Sequence, residues 1–209
     1  MAKLRKNRDA RAAFRTRFPL RPMEAGGMRA RLFGTVGCLM LIARARVEGQ
    51  EIEVGLVNRL AVPVNLLANA QYTAITIYAR IGVKLKWSNA NTAPIRIQLD
   101  AHTPHTIGPD AMGYALPYGD HDISIHILLD RISDHPDGDG HQYATAVLLG
   151  HVMAHELGHV LEGNCRHSET GVMKARWDQG LVHRMARQPL SFHPLDAALI
   201  RIGVARWQR

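Results

Sequence analysis

"HELGHVLEGNCRHSETGVM" (residues 155–173) is the stretch that decides how the rest of the chain reads. It closes a mostly apolar run, so the pattern predicts a long helix over about 142–162, stopped by Gly163. His155 and His159 stand four residues apart and project from one face of that helix, one turn apart. Two imidazoles so placed can both reach one Zn2+ at about 2.0–2.1 Å. Glu156 neighbours the first of them but points round the helix, near the metal without ligating it. A carboxylate there can take a proton from metal-activated water, which is what amide hydrolysis requires of a general base.

A catalytic zinc takes three protein ligands and leaves a fourth position for water. His151 lies one turn before His155, but three ligands spread over two turns of a straight helix cannot converge on one ion, so it reads as a packing or supporting residue. Glu162 is only three residues beyond His159 and close to the helix end, and Glu169 needs the loop to fold back. Cys165 is a chemically good ligand, although a thiolate donates more charge and leaves bound water less acidic. His167 follows Gly163, a residue able to turn the chain sharply out of the helix. His167 is the preferred third ligand and Cys165 the main alternative.

These residues resemble the metzincin clan of zinc peptidases, whose signature is HExxHxxGxxH followed by a methionine-containing turn. His155, Glu156 and His159 match its first part. Gly163 and His167 match the turn and third ligand, displaced by one and two residues; in strict register those positions hold Glu162 and Cys165. "HSETGVM" resembles the passage from third ligand into Met-turn, which gives Met173 the place beneath the metal; an ordinary core methionine is the plainer alternative. The clan's tyrosine after that turn is absent from "MKARW", where Arg176 is either a substitute oxyanion stabiliser or simply a solvated loop residue. The resemblance implies an edge strand that binds peptide antiparallel above the zinc, with "MGYAL" (112–116) or its neighbour in that role.

Outward from the motif, "EIEVGLV" (51–57), "VKLKW" (83–87), "IRIQL" (95–99), "MGYAL" (112–116) and "DISIHILLD" (122–130) read as strands. A helix is expected over 63–82, opened by Pro63 and ended near Gly82, and a last short one over 194–204 from Pro194. The order of elements makes an α+β domain: a twisted mixed sheet on a long active-site helix, zincin-like, with a loop-rich C-terminal part carrying the Met-turn. The acidic loop around Asp134, Asp137 and Asp139 lacks EF-hand spacing and reads as turn chemistry rather than a second metal site.

The net charge of +8 invites a nucleic-acid reading, but the charge is not in the domain. Residues 1–45 hold 11 Lys and Arg against Asp9 and Glu24, whereas residues 46–209 hold 15 basic and 16 acidic residues. That removes most of the case for nucleic acid, which needs a basic face on the folded part. In 28–45 a basic start, an apolar run of 12 residues and Ala43-Arg44-Ala45 form an export-signal pattern that starts at Met28 and makes 1–27 an upstream extension; a basic, partly disordered tail followed by a buried segment is the plainer alternative. The apolar run is shorter than the roughly 20 residues that span a bilayer. The expectation is an exported, single-domain zinc endopeptidase over 46–209, acting on peptide or protein substrates. A zinc-holding zincin-fold binding domain without catalysis is the alternative.

Overall fold

A computed structural model describes residues 49–88, 93–115, 123–133 and 142–208. The export pattern at 28–45 and the loop of Asp134, Asp137 and Asp139 lie outside the described residues.

Five strands form one sheet in the order β2-β1-β3-β5-β4. β1 (Gln50–Val57), β2 (Val83–Ser88), β3 (Ile95–Asp100) and β5 (Ile123–Leu128) pair in parallel, while β4 (Gly113–Ala115) runs antiparallel to β5 at one edge. Parallel sheets are usually covered on both faces, yet here the strands alternate. Ile95, Ile97, Leu99, Ile123, Ile125 and Ile127 are buried, and Arg96, Gln98, Ser124 and His126 between them are not fully so. The polar face carries cross-strand pairs in register, Lys84 with Glu51 at 2.6 Å and Lys86 with Glu53 at 3.3 Å. The alternation is therefore a real signal of a sheet packed by helices on one side.

Two helices cover the apolar side. α1 (Val64–Ala79) follows β1 and begins after Pro63, which occupies the N-cap; Gly82, at φ +74°, turns the chain into β2. α3 (Gln142–Glu162) is buried at every position from Ala146 to Glu162. A helix hydrophobic all round needs cover all round. α1 supplies one side: a Cβ on Gly150 would stand 2.5 Å from the Ala70 carbonyl oxygen, and the Tyr78 hydroxyl donates to Ala154 O at 3.1 Å. α5 (Pro194–Trp207) supplies another, running three residues further than its pattern predicts.

One expectation is corrected and one helix is added. The strand expected over 122–130 ends at Leu128, and Leu129–Ser133 forms a short helix, α2. There the Asp130 carboxylate accepts from Thr103 N at 2.9 Å and Thr103 Oγ1 at 3.0 Å, while the Arg131 guanidinium donates to the Gly108 and Ala111 carbonyls. Those tethers turn the backbone where hydropathy alone continues the strand. The C-terminal part also contains α4 (Gln179–Met185), capped by Asp178, whose carboxylate accepts from Leu181 N at 2.8 Å. Among the described residues no helix is long and apolar enough to cross a membrane.

The contact between α5 and α3 gives a sharp test. A Cβ on Gly203 would lie 1.7 Å from the Leu161 carbonyl oxygen, a backbone atom with no rotamer to yield. Gly203→Ala is expected to destabilise the domain by about 3 kcal/mol or more, read by urea unfolding. A loss near zero would mean the helices do not cross this closely.

Candidate metal centre

α3 ends where its sequence tells it to. Gly163 has φ +68°, its N–H donates to Val160 O at 3.2 Å, and Asn164 N–H donates to His159 O at 3.3 Å. This is a Schellman termination, which satisfies the last carbonyls and reverses the chain. The reversal aims the Asn164 carbonyl back at the helix, where it accepts from His159 Nδ1 at 3.1 Å. Further on, Gly171 (φ +81°) starts a tight turn closed by Lys174 N–H to Gly171 O at 3.3 Å. That turn presents the Val172 carbonyl, which accepts from His155 Nδ1 at 2.7 Å.

The two carbonyls fix the tautomers. An Nδ1 that donates leaves Nε2 as an acceptor in a neutral imidazole. The Nε2 atoms of His155 and His159 face each other at 3.0 Å. His167 returns from the loop to the same place, its ring centroid 5.3 Å from that of His155 and 4.9 Å from that of His159. One nitrogen of each of the three lies within 4.8 Å of the others, so together they could hold a metal ion.

Burial sets the electrostatics. It lowers His155 to about 3, with His159 and then His167 adding repulsion, and lowers His159 to about 4, with His167 adding. His167, the most exposed of the three, is lowered by burial and then by Arg166. All three are thus biased towards the neutral form that ligates metal. Glu156 is buried against β4, where a Cβ on Gly113 would meet its Cγ at 2.9 Å, and burial raises its carboxyl to about 8.

The remaining candidates separate cleanly. His151 donates from Nδ1 to Val147 O at 2.7 Å and accepts at Nε2 from Leu190 N at 3.0 Å, so both nitrogens are spent on structure. Cys165 lines the same cleft but stands outside the histidine cluster, and Glu169 is exposed. Glu162 is buried outside the histidine cluster, 3.6 Å from the Arg166 guanidinium. Met173 is fully buried beneath α3: a Cβ on Gly158 would lie 2.5 Å from its Sδ. Gly158 is thus the residue that lets Met173 in, and Gly113 the one that lets Glu156 in. Neither need is visible in the sequence, because a close approach has no local signature. Arg176 reaches over the cleft to Asp110 as an exposed ion pair.

The cleft above the histidines has a volume of about 990 Å3. One rim is 108–115, the other 174–177, and Trp177 packs edge-on against His155 at 5.6 Å. A buried helix bearing two histidines, a third returned by the following loop, and a buried carboxylate beside them make a candidate divalent-metal centre in an α+β domain. No family model and no curated protein matches the chain. Among solved structures it is similar to that of myroilysin, at 14% identity and a TM-score of 0.32, covering 54% of this chain and 47% of that one. The match therefore spans less than half the length of the myroilysin chain.

Burial, then the nearby Asp196, raises Glu162 to about 7, while Arg166 opposes them. Between its ordinary value near 4.5 and 7 the fold holds a proton that the unfolded chain has lost, so stability falls as pH rises through that window. Glu162→Gln lacks this loss. It is expected to match the parent near pH 4.5 and to exceed it at pH 8 by about 2–3 kcal/mol, measured by urea unfolding at both pH values. A difference that does not change with pH would refute the assignment.

Proposed function

We propose that the chain is an exported, metzincin-like zinc endopeptidase. In this reading His155, His159 and His167 hold the zinc, Glu156 is the general base, and Met173 floors the site in a Met-turn. One observation carries it: two Nε2 atoms face each other at 3.0 Å while both Nδ1 atoms donate to backbone carbonyls. Two lone pairs aimed at each other repel, and a shared cation relieves them. Three imidazole nitrogens suit zinc, and the carbonyls behind two of them are the outer partners that metal-bound histidines use.

When bound, zinc supplies a Lewis acid and a double positive charge, which activate water, polarise a peptide carbonyl and favour the ionised Glu156. The chain's own groups do the rest. A Glu156 carboxylate oxygen takes a proton from the attacking water and delivers it to the leaving nitrogen as the C–N bond breaks. Packing of Glu156 against Gly113 keeps bulk water from the carboxyl while it holds that proton. β4 ends the sheet beside Glu156, so an extended peptide can add to it as a further strand. Arg176 is not assigned to the oxyanion, because Asp110 already pairs with it.

A second reading, a zinc-holding binding domain without useful catalysis, draws on that same Asp110–Arg176 pair, which joins the two rims over the cleft.

Two measurements test the proposal. The full chain should take up about one zinc, and Glu156→Ala should keep the metal while losing peptide hydrolysis by about 10²–10⁴-fold. Undiminished hydrolysis in that variant sinks the mechanism, and a peptide library left intact by the unaltered protein favours the binding domain. Separately, His167→Ala should lose most of its zinc and Cys165→Ser should keep it; the reverse result would make Cys165 the third ligand.

A further inference from the structure

Behind the loop that carries His167 lies a charge more deeply buried than anything in the cleft. Asp196, in the first turn of α5, is 0% exposed. Its Oδ1 accepts from Ser168 Oγ at 2.7 Å and from the Arg166 guanidinium. Arg166 and Ser168 are the two residues on either side of His167, so one carboxylate oxygen ties down both of its neighbours. The backbone is held as well: Arg166 N–H donates to Asn164 Oδ1 at 2.9 Å, and Ser168 N–H donates to Met173 O at 2.8 Å.

His167 needs this support in a way its partners do not. His155 and His159 are oriented by their own Nδ1 bonds to Val172 O and Asn164 O, on a packed helix. Among the described residues the His167 ring makes no hydrogen bond, and it stands on an exposed loop. A loop imidazole that rests only on ring contacts, with no hydrogen bond to orient it, loses more entropy when it is ordered, which lowers the affinity of any site it completes. Fastening the residues before and after it removes much of that freedom in advance.

We propose that Asp196 is a positioning residue which, through Arg166 and Ser168, holds His167 within reach of His155 and His159 and so sets the affinity of the centre without touching it. The proposal rests on the three-histidine metal site proposed above. Among the described residues Asp196 Oδ2 has no hydrogen-bond partner, so the Arg166 guanidinium and the Ser168 hydroxyl on Oδ1 are what offset burial of the carboxylate.

The test uses the metal-free full chain and two readouts: zinc affinity by competition, and the visible absorption of bound Co2+, which reports coordination number and geometry. Asp196→Asn and Ser168→Ala are each expected to weaken zinc binding, the former by about 10- to 100-fold, and to shift the Co2+ bands. In a His167→Ala background, Asp196→Asn should cost no further affinity, because the ligand it positions is gone. If Asp196→Asn does not fold, Ser168→Ala decides on the same two readouts. The proposal is overturned if His167→Ala weakens binding while Asp196→Asn and Ser168→Ala bind zinc and absorb like the parent, even with lower melting temperatures. It is overturned at its base, together with the metal site, if His167→Ala itself binds as the parent does.

Discussion

Two imidazole nitrogens that both offer lone pairs do not settle 3.0 Å apart by preference, and the surroundings of His155 and His159 hold them there. The constraint is applied from behind the rings. Val172 O and Asn164 O each take an Nδ1 proton, which leaves the facing nitrogens as acceptors. For those carbonyls to point inward, the helix must end in a Schellman turn at Gly163 and the chain must turn again at Gly171. For the helix to be buried on all sides, α1 must approach it at Gly150 and α5 must approach it through its own Gly203. Much of the fold can be read as scaffolding for one repulsive contact.

The electrostatics follow from the same packing. Burial favours neutral histidines and a neutral Glu156, so the metal-free centre carries little charge. Charge is instead concentrated behind the site, where Arg166 lies between the Glu162 and Asp196 carboxylates. One buried cluster is nearly uncharged and available for a cation, and the other gathers its charge round Arg166, with Asp196 Oδ1 the oxygen that is hydrogen-bonded. The short loop 163–168 separates them, with Arg166 facing one side and His167 the other.

Much of this was legible in the sequence, for identifiable reasons. α3 follows from a mostly apolar run with a glycine stop, and the sheet from alternation in 51–57, 83–87 and 95–99. His167 stands beside His155 and His159 because Gly163 reverses the chain, a turn that the glycine announces in the sequence. What stayed hidden depends on contacts between distant segments. The break at Leu129 is imposed by Thr103, 27 residues from Asp130, within a stretch whose hydropathy still reads as strand. Asp196 reads as an ordinary acid in the first turn of a helix, a favourable place for one in any protein, so nothing local distinguishes it. The glycines at 113 and 158 carry meaning only through what they let approach.

The three histidines and Cys165 all fall between residues 155 and 167, so the site is built almost entirely from one continuous piece of chain. Closing so short a loop costs little chain entropy. The unfolded protein therefore keeps a weak chelator of its own, with a thiol and three imidazoles in easy reach of one ion. Metal bound to that form is subtracted from whatever stability metal lends the native state. The same proximity has a kinetic side: a metal ion caught early by the HELGH turn would pin the end of α3 before the sheet, with its distant strand pairings, has assembled.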